Sequence, residues 1–126
     1  MVRPRLRMFL NRLVRIAFIE RSRRVLPFDW DGLPARYDLV NAVIRCTGAR
    51  SYLEIGCRRD VCFGRICCER KVGVDPLSGG TLRMTSADYF ARNTEIFDVI
   101  FIDGLHLCEQ VSKDIANALA CLGPGG

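Results

Sequence analysis

The chain has 126 residues, 49% of them apolar and 26% charged, with a net charge of +5. This composition excludes a disordered chain, which is too polar to bury a core, and a membrane-spanning one, which needs about 20 consecutive apolar residues. The length suits one domain or part of one. The charge is unevenly spread. Residues 1–24 hold eight arginines and a single acid, Glu20, for a net +7, so the other 102 residues, with 11 basic and 13 acidic groups, carry −2.

Taken in chain order, Leu6, Phe9, Leu10, Leu13, Val14 and Ala17 recur at helical spacing among arginines, predicting a basic amphipathic helix over roughly residues 4–20. Three readings fit it: a helix packed on the domain through its apolar stripe, an arm attracted to an anionic membrane or a nucleic acid, or a targeting presequence. Residues 23–34 read as a linker, because Pro27, Gly32 and Pro34 break regular structure. The expected division is an arm with linker over 1–33 and an α/β domain over 34–126. Pro34 suits the first turn of a helix that runs to about Cys46 and stops at Gly48. Beyond it the pattern predicts a strand over 51–55, a helix over 61–69, a strand over 71–75 and a short weak strand over 82–85. A helix over 87–92 with Ser86 as its N-cap, a strand over 97–102 and a helix over 106–122 follow. Strands alternating with helices imply a parallel sheet with helices on both faces.

Seven cysteines, an odd number without a C-x-x-C pair or a preceding signal peptide, argue against a disulfide framework. Cys57, Cys62, Cys67 and Cys68 are close in sequence, but a helix over 61–69 spreads three of them across different faces, against zinc. Reduced cysteines used as small buried apolar residues, in a cytoplasmic protein, are the expectation.

The two first strands carry the chemistry. Tyr52-Leu53-Glu54-Ile55-Gly56 is followed by Val72-Gly73-Val74-Asp75-Pro76, with Asp75 21 residues after Glu54. Ligands of open parallel sheets bind outside the carboxyl ends of the strands, and an acid about 20 residues beyond the first strand's glycine is placed to hold a ribose diol. Gly56, without a Cβ, admits close approach to the backbone. The loop reads Gly56-Cys57-Arg58-Arg59-Asp60-Val61, with one glycine and then an acid, so it lacks the G-x-G-x-x-G that seats a pyrophosphate. The pattern points to a nucleoside-containing cofactor other than a dinucleotide.

Glu54-x-Gly56 resembles motif I of the class I S-adenosylmethionine-dependent methyltransferases, and Gly73-Val74-Asp75-Pro76 resembles their motif II. Phe97-Asp98-Val99-Ile100-Phe101-Ile102-Asp103-Gly104-Leu105-His106 looks like their fourth strand and its loop. Gly123-Pro124-Gly125-Gly126 is similar to the turn before their fifth strand. The likeness, which covers residues 51–126, is greatest to the bacterial branch with an F-I-D-G-x-H element. It implies a Rossmann-like parallel sheet of strand order 3-2-1-4, incomplete relative to the family's seven-stranded sheet, with N-terminal helices beside it. The family usually has a second glycine where this chain has Asp60.

The resemblance implies S-adenosylmethionine as cofactor and methyl transfer to a small-molecule acceptor, such as a sugar or natural-product hydroxyl. It implies that Glu54 sits near the cofactor's ammonium, directly or through water, with a helix cap or ion pair as the other reading. Asp75 would hold the ribose, or else serve the turn before Pro76. Asp88 would receive the exocyclic amine of adenine, or cap its helix. Asp103 and His106 would supply a general base or ligands for a divalent ion; a purely structural loop is the alternative. A non-catalytic remnant or interaction module that keeps the fold is the competing function. The chain by itself is expected to turn over negligibly and to self-associate through the strand over 97–102, an apolar edge.

Overall fold

The computed structural model describes residues 31–126, and its compact unit runs from Pro34 to Gly126. The basic helix expected over residues 4–20, and the linker as far as residue 30, lie outside the described residues.

Helix α1 (Arg36–Thr47) begins just after Pro34. Asp38 reaches back to accept the Ala35 N–H at 2.9 Å, answering one of the donors a helix start leaves open. Gly48 ends the helix in the left-handed region, its N–H bonded to the Ile44 carbonyl. Val40 and Ile44, one turn apart, form the buried face.

Strands β1 (Ser51–Ile55), β2 (Arg70–Val74) and β3 (Val99–Ile102) pair in parallel in the order β2-β1-β3. Every residue of β1 is buried, as befits a middle strand covered on both faces. Alternation along β1 divides the interior. Tyr52 packs with Val40, Ile44, Cys57, Cys62, Phe63 and Ile66, while Leu53 and Ile55 pack with Val74, Tyr89 and Phe97. The step from β1 to β2 and the step from β2 across β1 to β3 run in opposite directions. Right-handed crossovers therefore put the two connections on opposite faces. Helix α2 (Ser86–Arg92) belongs to the second connection, and helix α3 (Cys108–Ala120) follows β3 and touches both β3 and α2.

The molecule is thus α/β with an open parallel sheet, as its alternating pattern implied, but the strand order differs from 3-2-1-4. The strand expected over 82–85 is reduced to one parallel bridge, Val74 to Leu82. Thr81 turns its hydroxyl to the Gly73 N–H, and Thr85, three residues beyond Leu82, is committed to capping α2, so no ladder extends. Thr85, not Ser86, is that cap: its oxygen accepts the Asp88 N–H.

The helix expected over 61–69 does not form either. A short 3-10 helix, Phe63–Arg65, stands in its place. Arg58 and Asp60 both adopt positive φ, which ends any helix entering from β1. Lys71 Nζ then takes the Phe63 and Ile66 carbonyls at 2.9 and 3.1 Å, and Asn41 holds the Cys67 N–H and the Arg65 carbonyl. The Phe63 and Arg65 carbonyls and the Cys67 N–H are groups that a helix over 61–69 would have paired internally. All seven cysteines are free, but only Cys57 and Cys62 are buried; Cys46, Cys67 and Cys108 are exposed, which corrects the expectation of buried thiols throughout. Among the described residues, no helix is long and apolar enough to cross a membrane.

Candidate functional site

The crossover reversal at β1 leaves a crevice outside the carboxyl ends of the strands, of about 990 Å³. That is enough for a nucleoside-sized ligand. Glu54, Gly56, Asp75, Asp103 and His106 all line it, so the topology brings together five of the six residues singled out in the sequence. The sixth, Asp88, does not line it: its carboxylate accepts the Thr85 hydroxyl at 2.8 Å at the start of α2.

Asp75 lies one residue beyond β2 and is 7% exposed. Its Oδ1 accepts the N–H groups of Leu77 and Ser78, at 2.8 and 2.9 Å, and its Oδ2 accepts that of Arg58 at 2.8 Å. Burial alone would raise its pKa, but the backbone donors of Ser78, Arg58 and Leu77 outweigh it and hold the carboxyl below its ordinary range. The side chain therefore ties the loop after β1 to the turn after β2. Of about four acceptor sites on a carboxylate, three are used, and one on Oδ2 is left for a ligand.

Glu54 shares its face of β1 with Tyr52, whose hydroxyl donates to Oε2 at 2.5 Å. Burial pushes its pKa up, and the Tyr52 and Cys62 hydrogen bonds only partly restrain that rise. Burial likewise raises the neighbouring thiols, Cys57 to about 12 and Cys62 to about 11, so neither is a nucleophile at neutral pH. Gly56 has φ +88°, and a Cβ there would come within 2.3 Å of the Asp103 carbonyl oxygen. The room that this glycine leaves is filled by the chain after β3, not held open for a ligand.

Asp103, at the tip of β3, pairs through Oδ2 with Arg36 of α1, and its Oδ1 lies 3.7 Å from Nε2 of the largely exposed His106. The Arg36 cation at this carboxylate opposes a metal cation, and among the described residues no group of three or more His, Cys, Asp or Glu side chains is placed to hold one. The donor set does not fit a divalent ion. Asp60 does not line the crevice. In its left-handed conformation it accepts the Gly80 N–H at 2.6 Å, away from the strand tips.

Sequence reasoning missed Arg36, Arg58, Arg59, Gln110 and Asp114, all of which line the crevice. Asp114 had a signal: it interrupts the inward stripe of α3 between Val111 and Ala118, where an apolar residue would be the rule. Arg36 had none, because only the fold brings the start of α1 to the end of β3. In comparisons with known proteins, no family model, no curated protein and no solved structure matches this chain.

Proposed function

We propose that this chain forms a Rossmann-like cofactor-binding domain for S-adenosylmethionine-dependent methyl transfer to a small-molecule acceptor, with a hydroxyl as the accepting group. The observation that carries the reading is Asp75, a buried carboxylate at a strand tip that faces the crevice with an acceptor site to spare. When bound, S-adenosylmethionine supplies a methyl group already activated on a sulfonium, so the protein's work is alignment and proton removal. Asp75 receives a ribose hydroxyl. Glu54 would complement the ligand's ammonium group, and the hydrogen bond it accepts from Tyr52 holds it in one orientation. His106 takes the acceptor's proton, and the Asp103 carboxylate, held by Arg36 with its Oδ1 3.7 Å from Nε2, balances the charge that the imidazole gains.

Calorimetry of the 126-residue chain with S-adenosylhomocysteine tests this. Binding is expected, weakened by about 1.5–3 kcal/mol in Asp75→Ala, the scale of hydrogen bonds to a charged group. Because that variant also frees three backbone donors, its thermal stability is followed alongside. Binding of NADH in place of S-adenosylhomocysteine overturns the assignment. The second reading, a non-catalytic module, is favoured by one feature: Asp103 is already neutralised by Arg36 while His106 is 81% exposed. Cofactor binding without methyl transfer to any of a panel of hydroxylated acceptors would select it.

A further inference from the structure

Helix α3 carries a carboxylate into the crevice. Asp114, on its inner side, is 1% exposed. Gln110, one turn earlier, donates from Nε2 to Asp114 Oδ1 at 2.9 Å and to Ser86 Oγ at 3.2 Å. Oδ1 is thereby fixed, but among the described residues no donor reaches Oδ2 and no cation pairs with Asp114. No fully buried side-chain oxygen there lacks a partner, so Oδ2 keeps a narrow exposure. It lies at the seam between β1 and β3, 3.9 Å from the point where a Cβ on Gly104 would stand. The same point is 3.4 Å from Ile55 Cγ2 and 3.8 Å from the Ile55 carbonyl oxygen. Gly104, Ile55 and Asp114 all line the crevice, as does Asp103, which Arg36 neutralises. Asp114 has no such partner. A buried carboxylate given one neutral N–H is under-compensated, because buried charges are ordinarily paired. The missing side chain at Gly104 leaves room for a small cation beside Oδ2.

We propose that Asp114, oriented by Gln110, is the counter-charge for a protonated amine on the methyl acceptor, so that the acceptor is a small hydroxylated amine such as an amino sugar. This rests on the cofactor reading above and names its acceptor class. On that reading the tip of β2 presents Asp75 to the ribose, and β1 presents Glu54 to the donor's ammonium. The seam of β1 with β3, flanked by Asp103 and His106, is left to the acceptor. A neutral hydroxyl also donates to a carboxylate, but it brings no charge to offset one taken out of water. An ammonium brings both the N–H and the charge. The pairing also fixes which atom is methylated. A nitrogen kept protonated against Asp114 has no lone pair to attack with, so the hydroxyl beside His106 is the nucleophile.

Ligand-observed NMR titrations test this with two matched pairs: glucosamine against glucose, and tyramine against 4-hydroxyphenethyl alcohol. Each is titrated into the 126-residue chain with and without S-adenosylhomocysteine. The amine of at least one pair is expected to bind about 10-fold more tightly than its neutral counterpart. Asp114→Asn keeps an acceptor for Gln110 and removes the charge. It is expected to erase the preference and to hold or raise the thermal midpoint of the free chain. Gly104→Ala, whose Cβ would meet nothing closer than 3.4 Å, is expected to fold and to weaken amine binding by narrowing the approach to Oδ2. Equal binding within both pairs, no binding by any of the compounds, or a preference that survives Asp114→Asn overturns the inference. So does a lowered midpoint in that variant, which marks the carboxylate as structural. Weaker binding of S-adenosylhomocysteine itself by Asp114→Asn assigns the charge to the donor's ammonium and also overturns it. An amine preference without any binding of S-adenosylhomocysteine leaves the amine site standing and overturns the cofactor reading alone.

Discussion

Glu54 and Asp75 cap neighbouring strands, yet their surroundings push their carboxyls in opposite directions. Glu54, sealed under the crevice, has a folded pKa above its ordinary 4.5, chiefly through burial. The folded chain then holds this proton longer than the unfolded chain, so stability falls as pH rises from 4.5 through the folded value. For Asp75 the folded pKa lies below 3.8: burial is outweighed by backbone donors, so its contribution is complete above 3.8 and is lost as pH drops through the folded value. Glu54→Gln keeps an acceptor for the Tyr52 hydroxyl and carries no charge. Its thermal midpoint is expected to fall less than that of wild type as pH is raised from 4.5 to 7. Parallel midpoint curves would mean that Glu54 titrates as an ordinary exposed acid. Asp60 shows how a residue can depart from a pattern at modest cost. The backbone there is left-handed, which favours glycine, but aspartate tolerates that region and gains the Gly80 N–H.

At the scale of elements, the site depends on how closely β1 and β3 end beside one another. Gly56 N–H bonds to the Val74 carbonyl and Asp103 N–H to the Ile55 carbonyl, so three strand tips are laced together by backbone. Gly56→Ala combines left-handed strain with a collision against the Asp103 carbonyl. It is expected to cost at least about 2 kcal/mol and to abolish ligand binding. Gly125 has nearly the same φ, +89°, but nothing within 4 Å of its would-be Cβ. Gly125→Ala should therefore cost only the conformational penalty, about 1 kcal/mol. Urea unfolding of both variants checks the contrast; equal losses would show that the close approach at Gly56 carries no energy.

At the scale of the whole chain, the excess positive charge and the described core draw on different residues. The two buried clusters draw their described members from residues 40–97, whereas the excess positive charge belongs to residues 1–24. Deleting residues 1–24 takes the net charge from +5 to −2. The shortened chain is expected to unfold cooperatively at a similar temperature. Any adsorption of the full chain to anionic vesicles or DNA should be salt-dependent and vanish with the deletion. Loss of cooperative unfolding would instead assign the arm's apolar stripe a structural role, and circular dichroism melts with vesicle co-sedimentation read both outcomes.

Periodicity and punctuation determined the parallel α/β class, α1 with its Gly48 stop, the three strands and the acids at their tips, because those signals are local. Each depends on alternation, on a glycine's freedom or on a helix cap, all of which act within a few residues. Tertiary structure decided the rest. Whether residues 61–69 became a helix depended on Lys71 and Asn41 competing for their backbone groups. Whether residues 82–85 became a strand depended on the other uses found for Thr81 and Thr85. Arg36 meets Asp103 67 positions away, and Asp114 opens onto the same crevice from a helix after β3. No window of sequence contains such pairings, because they are made only when the crossovers fold opposite ends of the chain onto one edge of the sheet.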